Sequence, residues 1–147
     1  MNYPEFLGQC FSNFNSLELL IRVYLVKQNK EIEVGLEVDE GNWVPVTFMT
    51  NYMQFRILIN EYNKISNEKI PQKYVDDIVR FRDLIAHGRM SSLSESFPLT
   101  AVKYSDEKNG MVKVVVKQCL SVEYLNDIKD KINNCINLVL NGIKAIK

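Results

Sequence analysis

Apolar residues recur at three- and four-residue steps through most of the chain, a spacing that predicts helices. From about Glu5 to Gln28, one stripe runs through Leu7, Cys10, Phe11, Phe14, Leu17, Ile21 and Leu25, with no proline after Pro4. Tyr52, Phe55, Ile59, Tyr62 and Ile65 predict a second helix from about Thr50 to Ile65. Ser66-Asn67-Glu68-Lys69 reads as a loop. Pro71 suits the first turn of a third helix that runs to about His87, with Gly88 as its stop. Its stripe is Tyr74, Val75, Ile78, Phe81 and Ile85. Ser121 can cap a last helix to about Ile146, with Val122, Leu125, Ile128, Ile132, Cys135, Val139 and Ile143 on one face.

Two segments follow a different period. Over residues 31–48, Ile32, Val34, Leu36 and Val38 alternate with acidic residues and Gly35. Asp39-Glu40-Gly41-Asn42 and then Trp43-Val44-Pro45-Val46 follow, which predicts a small hairpin or an extended loop, restricted by Pro45 to an edge. Ala101–Tyr104 and Met111–Lys117 bracket a turn that ends in Asn109-Gly110, a hairpin signal. Residues 88–98, with four serines, a glycine and a proline, read as a polar loop.

Four helices with one apolar face each need one another. The expected fold is mainly α, an antiparallel four-helix bundle with one or two small β-hairpin insertions. Its 147 residues suit one domain spanning 1–147, long enough to bury a core without staples. Apolar residues make up 46% and charged residues 24%, the balance of a soluble globular chain. The segment MNYPEFLGQC lacks the charged head and apolar run of a signal peptide. Leu17 to Val26, the most apolar stretch, is broken by Glu18 and Arg22 and is too short to span a bilayer. A cytoplasmic protein with no membrane partner is expected.

Eighteen basic and eighteen acidic residues cancel, which argues against a general coat for duplex DNA. The charge is uneven along the chain. Residues 1–50 carry three basic and seven acidic groups, residues 51–100 seven and six, and residues 101–147 eight and five. The acidic excess sits at Glu31 to Glu40, and a mildly basic strip runs from Arg80 to Lys117. Cys10, Cys119 and Cys135 form no C-x-x-C pair, so they read as small buried apolar residues in a reducing compartment. The lone histidine, His87, excludes a His-rich metal cage within one chain, and no cofactor is expected. Neither G-x-x-x-x-G-K-[ST], G-x-G-x-x-G nor G-x-S-x-G occurs.

What remains is Arg82-Asp83-Leu84-Ile85-Ala86-His87-Gly88-Arg89, at the end of the third helix. Asp83 and His87 are four apart, so the carboxylate can hold the imidazole, and a helix C-terminus favours positive charge. Arg82 has Ile78, Val79, Ile85 and Ala86 as its helical neighbours, none of them acidic. Such an arginine needs a carboxylate from another helix, such as Glu18, or a ligand phosphate that it can grip bidentately.

Arg-Asp-x-x-x-His in a late helix of a small four-helix protein resembles the R-x(4–6)-H signature of the HEPN superfamily, in which a polar residue often follows the arginine. Leu7-Gly8-Gln9, Asn13, Ser16-Leu17-Glu18 and Arg22 resemble the first helix of a poorly characterised bacterial HEPN-like group. Leu58 to Asn63 and Arg82 to Arg89 resemble its later blocks, so the resemblance spans about residues 6–120. It implies a homodimeric α-bundle whose two motifs meet at or near the dimer interface. Active members are metal-independent endoribonucleases of toxin–antitoxin, anti-phage and RNA-processing systems. The implied catalytic set is Arg82 on the phosphoryl oxygens, His87 for proton exchange and Asp83 to orient the imidazole. Arg89 would touch the RNA backbone, and the 88–98 loops would flank the cleft. Members paired with nucleotidyltransferase antitoxins often carry a tyrosine two positions after the histidine; here that position is Arg89, so that target is missing.

The leading expectation is therefore an RNA-cleaving enzyme with an antitoxin or defence-system partner. The alternative is a non-catalytic HEPN-like dimeric module that binds a protein, nucleotide or RNA. A third reading, a ligand-free α+β scaffold, requires Arg82 paired to Glu18 and His87 exposed without a cleft.

Overall fold

A computed structural model describes residues 2–91 and 98–147. These form four helices and one three-stranded antiparallel sheet. Helix α1 spans Tyr3–Gln28. The Asn2 side chain caps it by accepting from the Glu5 amide at 3.1 Å, and Pro4 sits in the first turn, where its missing N–H costs nothing. Cys10, Phe14, Leu17, Ile21 and Leu25 are buried along the expected stripe, whereas Phe11 is exposed.

Helix α4, Val122–Lys144, is capped by Ser121 Oγ, which accepts from the Tyr124 amide at 3.1 Å. Leu125, Ile128, Ile132, Cys135 and Val139 are buried on the predicted face, mainly against α1. Asn13 Nδ2 of α1 donates to Asn133 Oδ1 of α4 at 3.3 Å across this seam. Gly142 admits the Tyr24 ring, because a Cβ there would lie 3.1 Å from Tyr24 Cε2. Tyr24 and Tyr62 meet edge to face, with ring centroids 4.8 Å apart.

Helix α2 spans Phe55–Ile65 and starts five residues later than its periodicity predicts. Part of the reason is local, and Arg22 of α1 supplies the rest by holding the Phe48, Asn51 and Met53 carbonyls. The Thr47 amide donates to Thr50 Oγ1 at 2.8 Å, and the Thr50 and Asn51 amides donate to Thr47 O at 3.1 and 2.9 Å. Threonine and asparagine side chains compete with a helix for these groups. Tyr52 is thereby left outside the helix and fully exposed, not on a buried stripe. Helix α3, Gln72–His87, follows Pro71 and closes with the Gly88 amide donating to Leu84 O at 2.7 Å. It buries Val75, Ile78, Phe81 and Leu84; Leu84, not Ile85, fills the last core position.

The expected hairpin forms from β2, Leu99–Tyr104, and β3, Val114–Leu120. Asn109 and Gly110 take φ of 54° and 75°, the consecutive left-handed pair that a tight hairpin turn requires. Ala101 and Leu120 bury the sheet against the helices. The segment after α3 is not wholly a loop. Arg89–Ser91 form strand β1, paired antiparallel to β2 with Arg89 opposite Val102. The rest of the expected 88–98 loop lies largely outside the described residues.

Among the described residues, none between 31 and 48 joins a strand, so of the small hairpin or extended loop expected there the structure holds the loop. The alternation there finds no partner strand, and Ile32, Leu36, Trp43 and Val46 face outward. Polar ties hold this segment instead. Lys27 Nζ lies 2.8 Å from Glu33 Oε1, and the Phe48 amide donates to Glu31 Oε2 at 3.2 Å. Among the described residues, no helix is long and apolar enough to cross a membrane.

Candidate functional site

Two charged residues interrupt the apolar run of α1, and they organise the site. Glu18 and Arg22 are four apart and form an ion pair at 3.2 Å. Arg22 is only 9% exposed and does far more than pair. Its Nη1 donates to Phe48 O at 2.6 Å, to Asn51 O at 3.2 Å and to Asn51 Oδ1 at 2.7 Å. Its Nη2 donates to Met53 O at 3.1 Å. A planar guanidinium has five donors in a fixed fork, and here they gather the carbonyls of a non-helical strap. That strap, residues 47–54, crosses α1 and leads into α2.

An open groove of about 600 Å³ lies where α1, the strap, α2 and the end of α3 meet. Glu18, Arg22, Arg56, Arg82, Asp83 and His87 contribute its polar lining. Tyr52 stands at its edge. A smaller groove of about 260 Å³ adjoins it, shares Arg56 and Asp83, and adds Arg80 and Lys103. The Arg56 guanidinium lies 2.7 Å from Asp76 Oδ1. That contact, with a hydrogen bond from Gln72, holds the Asp76 carboxyl below its ordinary 3.8.

Arg82, Asp83 and His87 thus line one groove, but two expected links differ. Arg82 does not reach Glu18, which Arg22 occupies. Its Nη1 lies 3.5 Å from Asp83 Oδ1, with the two side chains 43% and 44% exposed. The expectation of an arginine stranded on an apolar stripe is therefore corrected: Arg82 leans to the groove side of α3 and meets the neighbouring acid. Asp83 in turn faces Arg82, and among the described residues no hydrogen bond or ion pair joins it to His87. His87 is exposed in the last turn of α3.

Arg89 is not part of the groove lining. It opens strand β1, and its guanidinium carbon stands 5.3 Å from the Tyr104 ring centroid, a cation–π contact. The ligand-free scaffold reading required Arg82 on Glu18 and no cleft; neither holds.

Arg22, Arg56 and Tyr52 belong to the site without having been assigned to it from sequence. The Glu18/Arg22 pair inside an otherwise apolar stretch was the visible signal for the first. Nothing local marked the other two, because their place depends on how α2 and the strap meet α3.

The cysteines divide. Cys10 and Cys135 are buried and Cys119 is exposed, so the expectation of three buried thiols holds for two. Burial pushes Cys135 up to about 12 and raises Cys10 as well. Among the described residues, no cluster of three or more histidine, cysteine or acidic side chains is arranged to hold a metal ion. Comparison with protein-family models, with curated proteins and with solved structures finds no match.

Proposed function

We propose that the chain is a HEPN-type, metal-independent endoribonuclease: a HEPN-like four-helix bundle that acts as a cytoplasmic homodimer, as a toxin or anti-phage effector. The observation that carries this reading is the groove shared by Arg82 and His87. It combines the one histidine of the chain with the half-exposed Arg82 guanidinium, whose 3.5 Å pairing to Asp83 is loose enough for a phosphate to displace. An exposed pair of this kind contributes only about 0–1 kcal/mol, so a phosphodiester competes with Asp83 at little cost.

The chemistry follows from those groups. RNA carries its own nucleophile. His87 takes the 2′-hydroxyl proton while O2′ attacks the adjacent phosphorus, and the P–O5′ bond breaks. The leaving 5′-oxygen takes a proton from a second imidazole. The products are a 2′,3′-cyclic phosphate and a 5′-hydroxyl. Arg82 and Arg56 supply positive charge to the crowded phosphoryl oxygens. One chain holds one histidine, so the second imidazole is the His87 of a second copy, which makes the dimer part of the mechanism.

Purified protein should cleave single-stranded RNA in the presence of EDTA, and His87→Ala should reduce the rate at least about 100-fold, the typical contribution of general acid–base catalysis. Equal inactivity of both proteins across varied RNAs would remove catalysis. A monomeric mass by light scattering at micromolar concentration would remove the two-imidazole mechanism.

One observation favours a second reading, a non-catalytic binding module. Asp83 faces Arg82 and does not orient His87. Under that reading RNA or a nucleotide raises the melting temperature, Arg82→Ala abolishes the rise, and RNA is returned intact.

A further inference from the structure

Tyr52 is fully exposed, yet the backbone on both sides of it is tied by hydrogen bonds. On one side, Asn51 N donates to Thr47 O at 2.9 Å, and both Asn51 O and Asn51 Oδ1 accept from Arg22. On the other side, Met53 O accepts from Arg22 Nη2, and Met53 N donates to Asn51 Oδ1 at 3.2 Å. Met53 packs on the core. Two residues further, the Phe55 ring lies 4.5 Å from that of Phe14. Residues 51 and 53 are thus anchored while the ring between them stays in water. A buried arginine spends its donors fixing a segment whose only outward aromatic stands at the edge of the Arg56/Arg82/His87 groove.

We infer that Tyr52 is a stacking platform for one unpaired nucleobase, set beside the phosphate-gripping guanidinium groups. The inference rests on the reading of the groove as a phosphodiester site and adds what that reading lacks, a means of telling unpaired from paired RNA. An aromatic face is sequence-tolerant, because every base offers a π-face. A base within a duplex is already stacked on both sides and must leave the helix first. Platform and cations together therefore select single strands and loops. The rigid mount matters because the backbone beneath the ring has no freedom left to lose on binding, and only the two side-chain torsions of Tyr52 need ordering. The ring meets no other part of the groove wall strongly enough to be covered, so its removal leaves the fold intact.

The test uses a fluorescently labelled 2′-O-methyl oligonucleotide, which binds but lacks the attacking hydroxyl. Anisotropy titrations compare wild type, Tyr52→Phe, Tyr52→Leu and Tyr52→Ala, on the single strand and on the same sequence in a duplex. Tyr52→Ala should weaken single-strand binding roughly 10- to 100-fold, the range for one lost base–aromatic stack. Tyr52→Phe should stay within about twofold, Tyr52→Leu should resemble Tyr52→Ala, and duplex affinity should not move. Melting temperatures of all four proteins should coincide. Unchanged single-strand affinity in Tyr52→Ala overturns the platform, as does a loss in Tyr52→Phe equal to that in Tyr52→Ala, which would assign the effect to the hydroxyl. No binding by wild type also overturns it. Tyr52-dependent binding together with intact 2′-hydroxyl RNA after incubation would sustain the platform and remove catalysis. Cleavage that is indifferent to Tyr52 would do the reverse.

Discussion

Arg22 and Arg82 carry the same guanidinium, and their surroundings give them opposite duties. Arg22 is buried and spends its donors on three backbone carbonyls, an amide oxygen and Glu18. Its removal leaves those acceptors unsatisfied. Arg22→Ala should cost about 2–4 kcal/mol and lower the melting temperature by roughly 5–15 °C in calorimetry. Arg22→Lys should recover little, because an ammonium cannot span acceptors set for a planar fork. Arg82 is half-exposed, so Arg82→Ala should change stability by no more than about 1 kcal/mol while, under the proposed function, weakening RNA binding. A large stability loss in Arg82→Ala would make it a structural residue. The cysteines separate in the same way. Iodoacetamide at pH 8 should modify Cys119 alone in the native protein and all three thiols in denaturant, read by mass spectrometry. Burial keeps Cys135, pushed up to about 12, and Cys10 protonated and covered.

Helix α3 carries the motif, and its position depends on ties to its neighbours. Lys131 of α4 lies 2.7 Å from Asp77 of α3 and 2.6 Å from Asp127 of its own helix, with its side chain 14% exposed. Hydrogen bonds to the two carboxylates raise its pKa above the ordinary 10.5. Lys131→Met should cost about 1–3 kcal/mol and weaken the α3–α4 contact. The loop between α2 and α3 is closed by Tyr62, whose hydroxyl donates to Glu68 O at 2.6 Å, and burial raises the pKa of that hydroxyl above 10.0. Cys135, Tyr62 and Lys131 all titrate later in the folded than in the unfolded chain. Each contribution is complete below the unfolded pKa and is lost as pH rises toward the folded one. Melting temperature should therefore fall steadily above about pH 9, the ordinary thiol range. A flat profile to pH 11 would contradict this. Asp76 works in the other direction: its lowered pKa adds stability above 3.8 that disappears in more acidic solution.

Across the whole molecule, charge is balanced in sum but not in place. The acidic groups of residues 31–40 lie on the segment between α1 and the strap, while Arg56, Arg80, Arg82 and Lys103 gather around the two adjoining grooves. Under the proposed function, RNA binding should run on a local patch of about three to four phosphate contacts, not on a general basic coat. For a single strand, log Kd should change with log salt at a slope of about 2–3 in magnitude. A slope near zero would mean that the cations do not hold phosphates. A slope beyond about 5 would mean a much larger footprint. Net neutrality leaves little long-range steering, so association should depend only weakly on protein net charge.

Much of this arrangement was legible before any fold was known. The 3.6-residue periodicity located all four helices, because each buries a single apolar face and the burial of that face dominates its formation. Asn109-Gly110 announced the hairpin, since few residue pairs adopt two left-handed conformations in succession. Arg82, Asp83 and His87 were legible as a cluster because helical spacing places them within two turns of one another. Three things required the tertiary structure. The alternation of residues 31–38 resembles a strand, but a strand exists only where a partner strand is adjacent, and none is present among the described residues. The start of α2 was decided by the Thr47/Thr50 turn together with the capture of the Phe48, Asn51 and Met53 carbonyls by an arginine 26–31 residues earlier in the chain. The partners of Arg82, and the company of Arg56 and Tyr52, follow from how α2 and its strap meet α3. Local pattern reports what a segment can bury; which side chains face one another across a groove is settled by contacts between segments far apart in sequence.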